Sequence, residues 1–157
     1  LQRLRDATGA SAHLAVRDGV EIVYLVQVSG QSALTSNIGV GSRLPAHGST
    51  MGRALIMDLD IQALAAAFGA APLTAMTEQT PTTLKELAGI LAADRGRGYI
   101  ASRSFYERGV ASLAAPVRDE TGTIVAAISV VTSEHMVDAE AMQGAVKDHV
   151  LEAAAEI

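Results

Sequence analysis

Two strands and the turn between them are encoded in residues 110–131, VASLAAPVRDETGTIVAAISVV. Val, Ile and Ala dominate both arms of this stretch, and β-branched residues favour a pleated, half-buried strand. The polar run DETG at residues 119–122 separates the arms and is typical of a hairpin turn. We therefore predict an antiparallel hairpin formed by strands over residues 110–117 and 123–131.

Hydroxyl groups recur on one predicted face of this hairpin. Side chains alternate between the two faces of a strand, so Ser112 shares a face with Ala114, and Ser129 shares a face with Val131. A buried hydroxyl without a partner costs about 1–3 kcal/mol. The oxygens of a ligand are one source of partners and neighbouring backbone carbonyls are another, and the pattern leaves both open.

A second hairpin is predicted near the start of the chain. Residues 11–17 and 21–28 have strand character, and Asp18-Gly19 is a common turn dipeptide. Residues 22–28 carry apolar side chains on both faces, which predicts a strand buried on both sides inside the sheet. A third short strand is predicted over residues 33–38.

The other segments show helical spacing and helix-capping residues. Helices are predicted over residues 48–58, 61–68, 83–95 and 138–157, and a short strand over residues 99–101. Asp60 and Gly69 fit the start and the end of the second helix. Paired strands on either side of a helical middle predict an α+β fold, with a central, largely antiparallel sheet flanked by helices.

Composition and charge exclude several classes of function. The 157 residues carry a net charge of −5, and the 12 Lys and Arg residues form no basic stripe, so direct nucleic-acid binding by this chain is not expected. The chain has no cysteine, its four histidines lack metal-ligand spacing, and no apolar run is long enough to span a bilayer. We expect a cytoplasmic protein with no metal site, no cofactor and no membrane contact. Only five residues are Tyr or Phe, so aromatic stacking is not expected to be a main binding device.

The run HGSTMG at residues 47–52 places small residues at the predicted start of a helix. The first amides of a helix have no partner within it, and such a place suits a carboxylate. The plain alternative is that Ser49 or Thr50 only caps the helix and that Gly52 allows close packing.

Sequence patterns for catalysis are weak. The run GRGYIA at residues 96–101 matches G-x-G-x-x-A, but a helix precedes it and no βαβ unit surrounds it. A nucleophile pair of Ser49 and His47 lacks an orienting carboxylate. We therefore expect no catalytic residues and no enzyme activity.

Several stretches, in the same order over nearly the whole chain, resemble the IclR family of bacterial transcription regulators. They are GSRLPAHGSTMGRAL at residues 41–55, the threonine-rich run at 77–84, RGY at 97–99 followed by GVASLAAPV at 109–117, and GTIVAAISV at 122–130. The resemblance implies a GAF-like effector-binding domain that binds a small organic acid or related metabolite.

The resemblance also implies a domain organisation and partners. Residues 1–157 would be a single effector-binding domain that forms a dimer or tetramer, and DNA would be bound only through an upstream winged helix-turn-helix that this chain lacks. Since the chain opens at Leu1, inside an amphipathic stretch, we expect a fragment of a longer regulator or repressor. Rival interpretations are a GAF-like small-molecule sensor of another signalling protein, an enzyme on the same scaffold and a structural dimerisation domain with a filled pocket.

Binding residues are carried over from the family pattern by position. The ligand-binding amides fall on Thr50 and Met51, the side-chain sites fall on Ser102, Ser112, Ser129 and Val131, and Leu44 adds an apolar wall. Ser102 stands where an acidic residue is usual, and Val131 stands where a serine can occur. These departures predict a less acidic, more apolar pocket, and a ligand with a larger hydrophobic portion than a two-carbon or three-carbon acid. Arg53 replaces a more common lysine at a site that we expect to be structural.

Overall fold

A computed structural model of the chain describes residues 1–30, 38–136, 140 and 142–157. The strands are β1 (Ser11–Asp18), β2 (Glu21–Val28), β3 (Arg43–Pro45), β4 (Ile100–Arg103), β5 (Val110–Arg118) and β6 (Ile124–Ser133). The helices are α1 (Gln2–Thr8), α2 (Thr50–Ile56), α3 (Ile61–Phe68), α4 (Leu84–Arg97) and α5 (Lys147–Ala155). A 3₁₀ turn over Ala46–Gly48 precedes α2, and a π-helical turn over Met142–Val146 precedes α5.

The six strands form one antiparallel sheet in the order β3-β2-β1-β6-β5-β4. Both predicted hairpins are confirmed, and the pairing of β1 with β6 joins them at the centre of the sheet. In this register Ser129 lies between His13 and Ala114, and Ser112 lies between Val131 and Ser102. The sheet therefore brings the hydroxyl-bearing strands side by side.

Helices cover both faces of the sheet, as the α+β pattern predicted. On one face, α2, α3 and α4 enclose a core that includes Met51, Leu64 and Leu87. On the other, α1 and α5 pack through Leu4 and Val150 onto the opposite side of the same strands. Each strand at the centre of the sheet is thus buried on two sides.

Strand β2 departs from the prediction that it is buried on both sides. Leu25 and Val26 are 46% and 41% exposed. The register shifts within the β1–β2 ladder, since Val26 pairs with Leu14 while Tyr24 pairs with Ala15. One extra residue in β2, Leu25, therefore interrupts the alternation, and its neighbour β3 is only three residues long. Ile22 and Tyr24 are buried on one face of β2, but Val23 on the other face is only half-buried, so the prediction of burial on both sides is wrong.

Two further predictions need correction or lie outside the described residues. The third strand predicted over residues 33–38 falls mostly on residues 31–37, which the structure does not describe, and β3 follows instead at Arg43–Pro45. The continuous C-terminal helix predicted over 138–157 is wrong in its described part. Gly144 takes a non-helical conformation, with φ −96° and ψ −116°, and the regular helix begins only at Lys147.

Local capping explains why the remaining predicted helices begin and end within about two residues of the predicted positions. The Asp60 side chain accepts a hydrogen bond from the Ala63 amide at 2.8 Å at the start of α3. Thr83 and Glu86 form a reciprocal capping box at the start of α4. Gly98, with φ 80°, ends α4 in the left-handed conformation that glycine adopts easily.

Candidate functional site

A cavity lies between α2, the central strands and the loop that connects β4 to β5. Its volume is about 50 Å³, counted over positions open to the centre of a water molecule. On this measure about 10–15 Å³ holds one water, so the cavity has room for several waters or a small organic molecule. It is lined by His13, Tyr24, Ile38, Leu44, Ser49, Thr50, Met51, Phe105, Tyr106, Glu107, Val110, Ser112, Ser129 and Val131.

The structure brings the residues predicted for the site together. Six of them line the cavity: Leu44, Thr50, Met51, Ser112, Ser129 and Val131. The seventh, Ser102, is not part of the lining, but its hydroxyl lies against those of Thr50 and Ser112. The seven residues therefore share one region, and their contact with a ligand stays a prediction.

Thr50, Ser102 and Ser112 form a hydroxyl cluster where α2 meets the sheet. The Thr50 Oγ1 atom lies 2.5 Å from Ser112 Oγ and in hydrogen-bond contact with Ser102 Oγ. The two serine oxygens are 3.3 Å apart, because Ser102 and Ser112 are directly paired across β4 and β5. Each hydroxyl both donates and accepts, so the cluster can redirect donors toward the oxygen atoms of a ligand.

Capping at the start of α2 falls to Ser49, as the plain structural interpretation proposed. Its Oγ accepts a hydrogen bond from the Gly52 amide at 3.0 Å. This leaves the Thr50 hydroxyl for the cluster. The amides of Thr50 and Met51 occupy the first two helical positions, where no partner exists within the helix. Gly52 also packs closely against the preceding turn, where an added Cβ would lie 2.2 Å from the Ala46 carbonyl oxygen.

His13 is a cavity residue that the sequence analysis missed. Its side chain is only 3% exposed, and neither ring nitrogen has a hydrogen-bond partner within the described part of the chain. Burial lowers the pKa of His13 to about 4. The Tyr24 ring meets the imidazole edge-on, with 5.6 Å between ring centroids. Strand alternation alone could not place His13 here, because its position beside Ser129 depends on the pairing of β1 with β6.

Aromatic rings reach the cavity despite their scarcity in the sequence. Three of the five Tyr and Phe residues, Tyr24, Phe105 and Tyr106, line it. Phe105 is held by its carbonyl oxygen, which accepts hydrogen bonds from the hydroxyls of Thr77 at 3.0 Å and Thr80 at 2.9 Å. Low aromatic content therefore does not keep aromatic side chains out of this site.

A carboxylate also lines the cavity, from a position that the family pattern did not indicate. Glu107 lies on the β4–β5 loop, exposed to solvent and at the edge of the lining. The prediction of a less acidic pocket, drawn from Ser102, did not take this edge of the cavity into account.

Three residues in or near the cavity are engaged in structural contacts. Arg53 is 4% exposed and forms a two-pronged ion pair with Asp94, with Nε–Oδ2 at 2.9 Å and Nη2–Oδ1 at 3.0 Å. The His47 Nε2 atom donates to the Thr74 carbonyl at 2.9 Å, and the Ser49 hydroxyl donates to the Pro45 carbonyl at 3.2 Å. These contacts explain His47 and Ser49 without catalysis.

Metal binding and membrane insertion each require a recognisable arrangement of residues. Within residues 1–30, 38–136, 140 and 142–157, no group of three or more His, Cys, Asp or Glu side chains is placed to hold a metal ion. In the same residues, no helix combines the length and the apolar character that crossing a membrane requires.

The burial of His13 predicts a stability that falls in acid. A histidine in the unfolded chain titrates near 6.5, whereas the folded pKa is about 4. The unfolded chain therefore binds more protons between these values, and stability decreases as the pH is lowered through this window. We expect this group to cost about 2 kcal/mol of stability between pH 7 and pH 5. Urea unfolding of the wild type and His13→Phe at both pH values measures it, and an equal pH effect in the two proteins would contradict the assignment.

Comparison with known proteins identifies the family of the chain. A family model described as "Bacterial transcriptional regulator IclR C-terminal" matches residues 1–157. The chain is 33% identical over 138 residues to the HTH-type transcriptional regulator XynR of Escherichia coli (strain K12), covering 88% of this chain and 55% of XynR. It is 32% identical over 133 residues to the Pca regulon regulatory protein of Pseudomonas putida, covering 84% of this chain and 46% of that protein. The chain thus spans about half the length of these curated relatives, which are named as regulators and not as enzymes.

A solved structure shares the fold. It is the inducer-binding domain of the PobR transcription factor from Acinetobacter, a double mutant in complex with 3-hydroxybenzoic acid. The match has a TM-score of 0.90 at 26% identity and covers 99% of this chain and 91% of the other. This structural match agrees with the family model. The chain belongs to the IclR family of bacterial transcriptional regulators and corresponds to their C-terminal region.

Proposed function

We propose that residues 1–157 form a ligand-sensing domain, whose cavity binds a small organic acid or related metabolite to control DNA binding by a winged helix-turn-helix outside this chain. The observation that carries this proposal is a cavity with the Thr50–Ser102–Ser112 hydroxyl cluster and the first residues of α2 at one end and apolar walls elsewhere. Such sites, mostly apolar with a few convergent polar groups, are typical of small-molecule binding. No cofactor or metal takes part.

The proposed pose places the ligand's acid group against α2. Its oxygens accept hydrogen bonds from the Thr50 and Met51 amides and from the hydroxyl cluster, and Ser129 supplies a further hydroxyl. Leu44 and Val131 contact the carbon skeleton, together with the Met51 side chain. Aromatic side chains in the lining favour an acid larger than glyoxylate or pyruvate. The PobR domain, in complex with 3-hydroxybenzoic acid, supports a ligand of this kind.

Control of DNA binding is proposed to occur by a population shift. A ligand moves a conformational equilibrium only through different affinities for the two states. The β4–β5 loop contributes Phe105, Tyr106 and Glu107 to the lining. A bound ligand would therefore bias the position of this loop. In a cytoplasmic homo-oligomer, a change at this loop would alter how neighbouring domains pack, and hence the spacing of the DNA-binding parts.

Binding is tested by a thermal-shift screen of carboxylic acids, followed by calorimetry on those that stabilise the chain. We expect Ser112→Ala and Ser129→Val each to weaken binding by about tenfold, since each removes a hydrogen bond to the ligand worth about 1.4 kcal/mol. Thr132→Val is the matched control, because Thr132 is buried on the same strand as Ser129 but faces the other side of the sheet. It should leave affinity unchanged.

The possible outcomes separate parts of the proposal. If Ser112→Ala and Ser129→Val both leave affinity within about twofold, the assignment of the pocket is wrong. If glyoxylate or pyruvate binds tightly and no aromatic or longer acid binds, the predicted ligand size is wrong. If no acid raises the melting temperature, a structural dimerisation domain accounts better for the chain.

A further inference from the structure

One polar side chain in the cavity has no part in the pose described above. His13 lies on β1, is almost fully buried, and has no hydrogen-bond partner for either ring nitrogen in the described part of the chain. Buried polar groups are nearly always hydrogen-bonded, and one that is not calls for a specific explanation. A ligand that completes these hydrogen bonds is such an explanation, because His13 forms part of the cavity wall.

A structural role does not account for this imidazole. His47 shows what a structural histidine looks like in this chain, since its Nε2 donates to the Thr74 carbonyl and its ring packs edge-on against Phe68. His13 has a comparable edge-on contact with Tyr24 but no hydrogen bond. An apolar ring would make the same packing contact without the cost of an unsatisfied buried nitrogen. The fold therefore does not require the nitrogen atoms of His13.

We propose that His13 determines specificity, by selecting acids that carry a hydroxyl group at the end of the carbon skeleton away from the acid group. The inference rests on the proposed function, because it requires the acid group to lie at the hydroxyl cluster. His13 then serves as the second polar contact of a ligand with two functional ends.

The sheet sets the separation of the two polar ends. His13 is paired with Ser129, and Ser112 is paired with Val131, so β6 lies between the strands that carry His13 and Ser112. Two strand spacings amount to about 10 Å between backbones. Because both side chains lie at the cavity, a ligand that contacts both must extend across it. With the acid group at the hydroxyl cluster, a hydroxyl next to the carboxylate reaches no further than Ser129 on β6, one strand spacing short of His13 on β1.

The charge state of His13 explains why a hydroxyl is preferred over a second anion. With its pKa near 4 the imidazole is neutral at pH 7, so it offers one N–H donor and one nitrogen acceptor. A hydroxyl can satisfy either. The other titratable groups that line the cavity are Tyr24, which contacts His13 and whose pKa is raised by burial so that the phenol is neutral, Tyr106, and Glu107 at the exposed edge. A second ligand carboxylate would bring another acidic group into the cavity that Glu107 lines.

Calorimetry with matched acids tests the proposal on this chain. The probes are benzoate against para-hydroxybenzoate, hexanoate against omega-hydroxyhexanoate, and ortho-hydroxybenzoate as an acid whose hydroxyl adjoins the carboxylate. We expect the wild type to bind the distal hydroxy acid about tenfold more tightly than its parent in at least one pair, with no gain for the ortho isomer. His13→Phe should remove this preference while still binding the parent acid. Ser112→Ala should weaken both members of a pair by a similar factor.

Stability without ligand provides a readout that does not depend on the choice of acid. His13→Phe should keep or raise the melting temperature of the chain at pH 7, because it removes unsatisfied polar atoms. The matched control His47→Phe should lower the melting temperature, because it leaves the Thr74 carbonyl without its donor. A decrease for His13→Phe as large as that for His47→Phe would show a structural role and overturn the inference.

The outcomes distinguish this inference from the proposed function. If acids bind but the hydroxyl preference is absent, or survives in His13→Phe, only the role of His13 is overturned. If binding takes up a proton at pH 7, seen as a buffer-dependent enthalpy that His13→Phe abolishes, an anionic group faces the imidazole and the hydroxyl assignment fails. If no acid binds, the proposed function and this inference fail together.

Discussion

Replacing Asp94 by alanine is expected to lower the free energy of unfolding by about 3–5 kcal/mol. Asp94 is fully buried on α4 and accepts both hydrogen bonds of the Arg53 guanidinium on α2, with a further contact from Arg97. Burial lowers the pKa of Arg53, and the charge of Asp94 opposes that effect. Without the Asp94 carboxylate, the Arg53 guanidinium stays buried with no opposite charge to offset its lost hydration. Removing one partner of a buried ion pair in this way is strongly destabilising. Urea unfolding at pH 7 measures the change.

The expected loss depends on burial, and the chain supplies a control for that dependence. Arg118 and Asp58 also form a two-pronged pair, through Nη1 and Nη2, but their side chains are 37% and 46% exposed. Water screens this pair, so Asp58→Ala should cost no more than about 1 kcal/mol. A similar loss from Asp94→Ala and Asp58→Ala would contradict the role given to burial. The double variant Arg53→Met/Asp94→Leu should recover most of the stability, because it removes both charges.

The buried ion pair also connects the fold to the cavity. The Arg53 guanidinium carbon lies 4.4 Å from the centroid of the Phe105 ring, which lines the cavity. Cation–π contacts of this kind contribute about 0.5–2 kcal/mol. The replacement of lysine by arginine at this position is therefore structural, as the sequence analysis expected, and its guanidinium also supports one wall of the site.

Parts of the fold encoded by local patterns were predictable from the sequence. The turn residues Asp18 and Gly19 and the caps Asp60 and Thr83 act within a few residues of themselves, and each element that they bound is found where predicted. The extra residue at Leu25 and the break at Gly144 were not predictable, because periodicity detects neither a register shift nor an isolated distortion. Both appear only once neighbouring elements are paired.

The candidate site also contains residues that the sequence could identify and residues that it could not. Ser112 and Ser129 were identified because strand alternation places them on one face, and the resemblance to a family placed Thr50 opposite them. His13 and Phe105 could not be found by either route. His13 depends on the pairing of β1 with β6, more than 100 residues apart in sequence, and Phe105 lies in a loop positioned by threonine hydroxyls. Long-range contacts of this kind produce no periodic pattern in the sequence.

Replacing Gly52 by alanine is expected to destabilise the chain by about 2–4 kcal/mol, although alanine is the better helix former. A Cβ at this position would lie 2.2 Å from the Ala46 carbonyl oxygen, 2.5 Å from Ala46 Cα and 2.6 Å from Ser49 Oγ. Two of these atoms belong to the backbone, so no side-chain rotation relieves the overlap. The start of α2 must therefore move away from the preceding turn.

A glycine in α4 separates this steric effect from helix propensity. Gly89 is exposed, and a Cβ there would meet nothing within 4 Å, so Gly89→Ala should raise stability by up to about 1 kcal/mol. Opposite signs for the two variants in thermal and urea unfolding are the expected result, and stabilisation by both would contradict the close approach at Gly52. Because Thr50 and Met51 immediately precede Gly52, displacement of α2 should also weaken acid binding in the folded Gly52→Ala protein, whereas Gly89→Ala should bind as the wild type does.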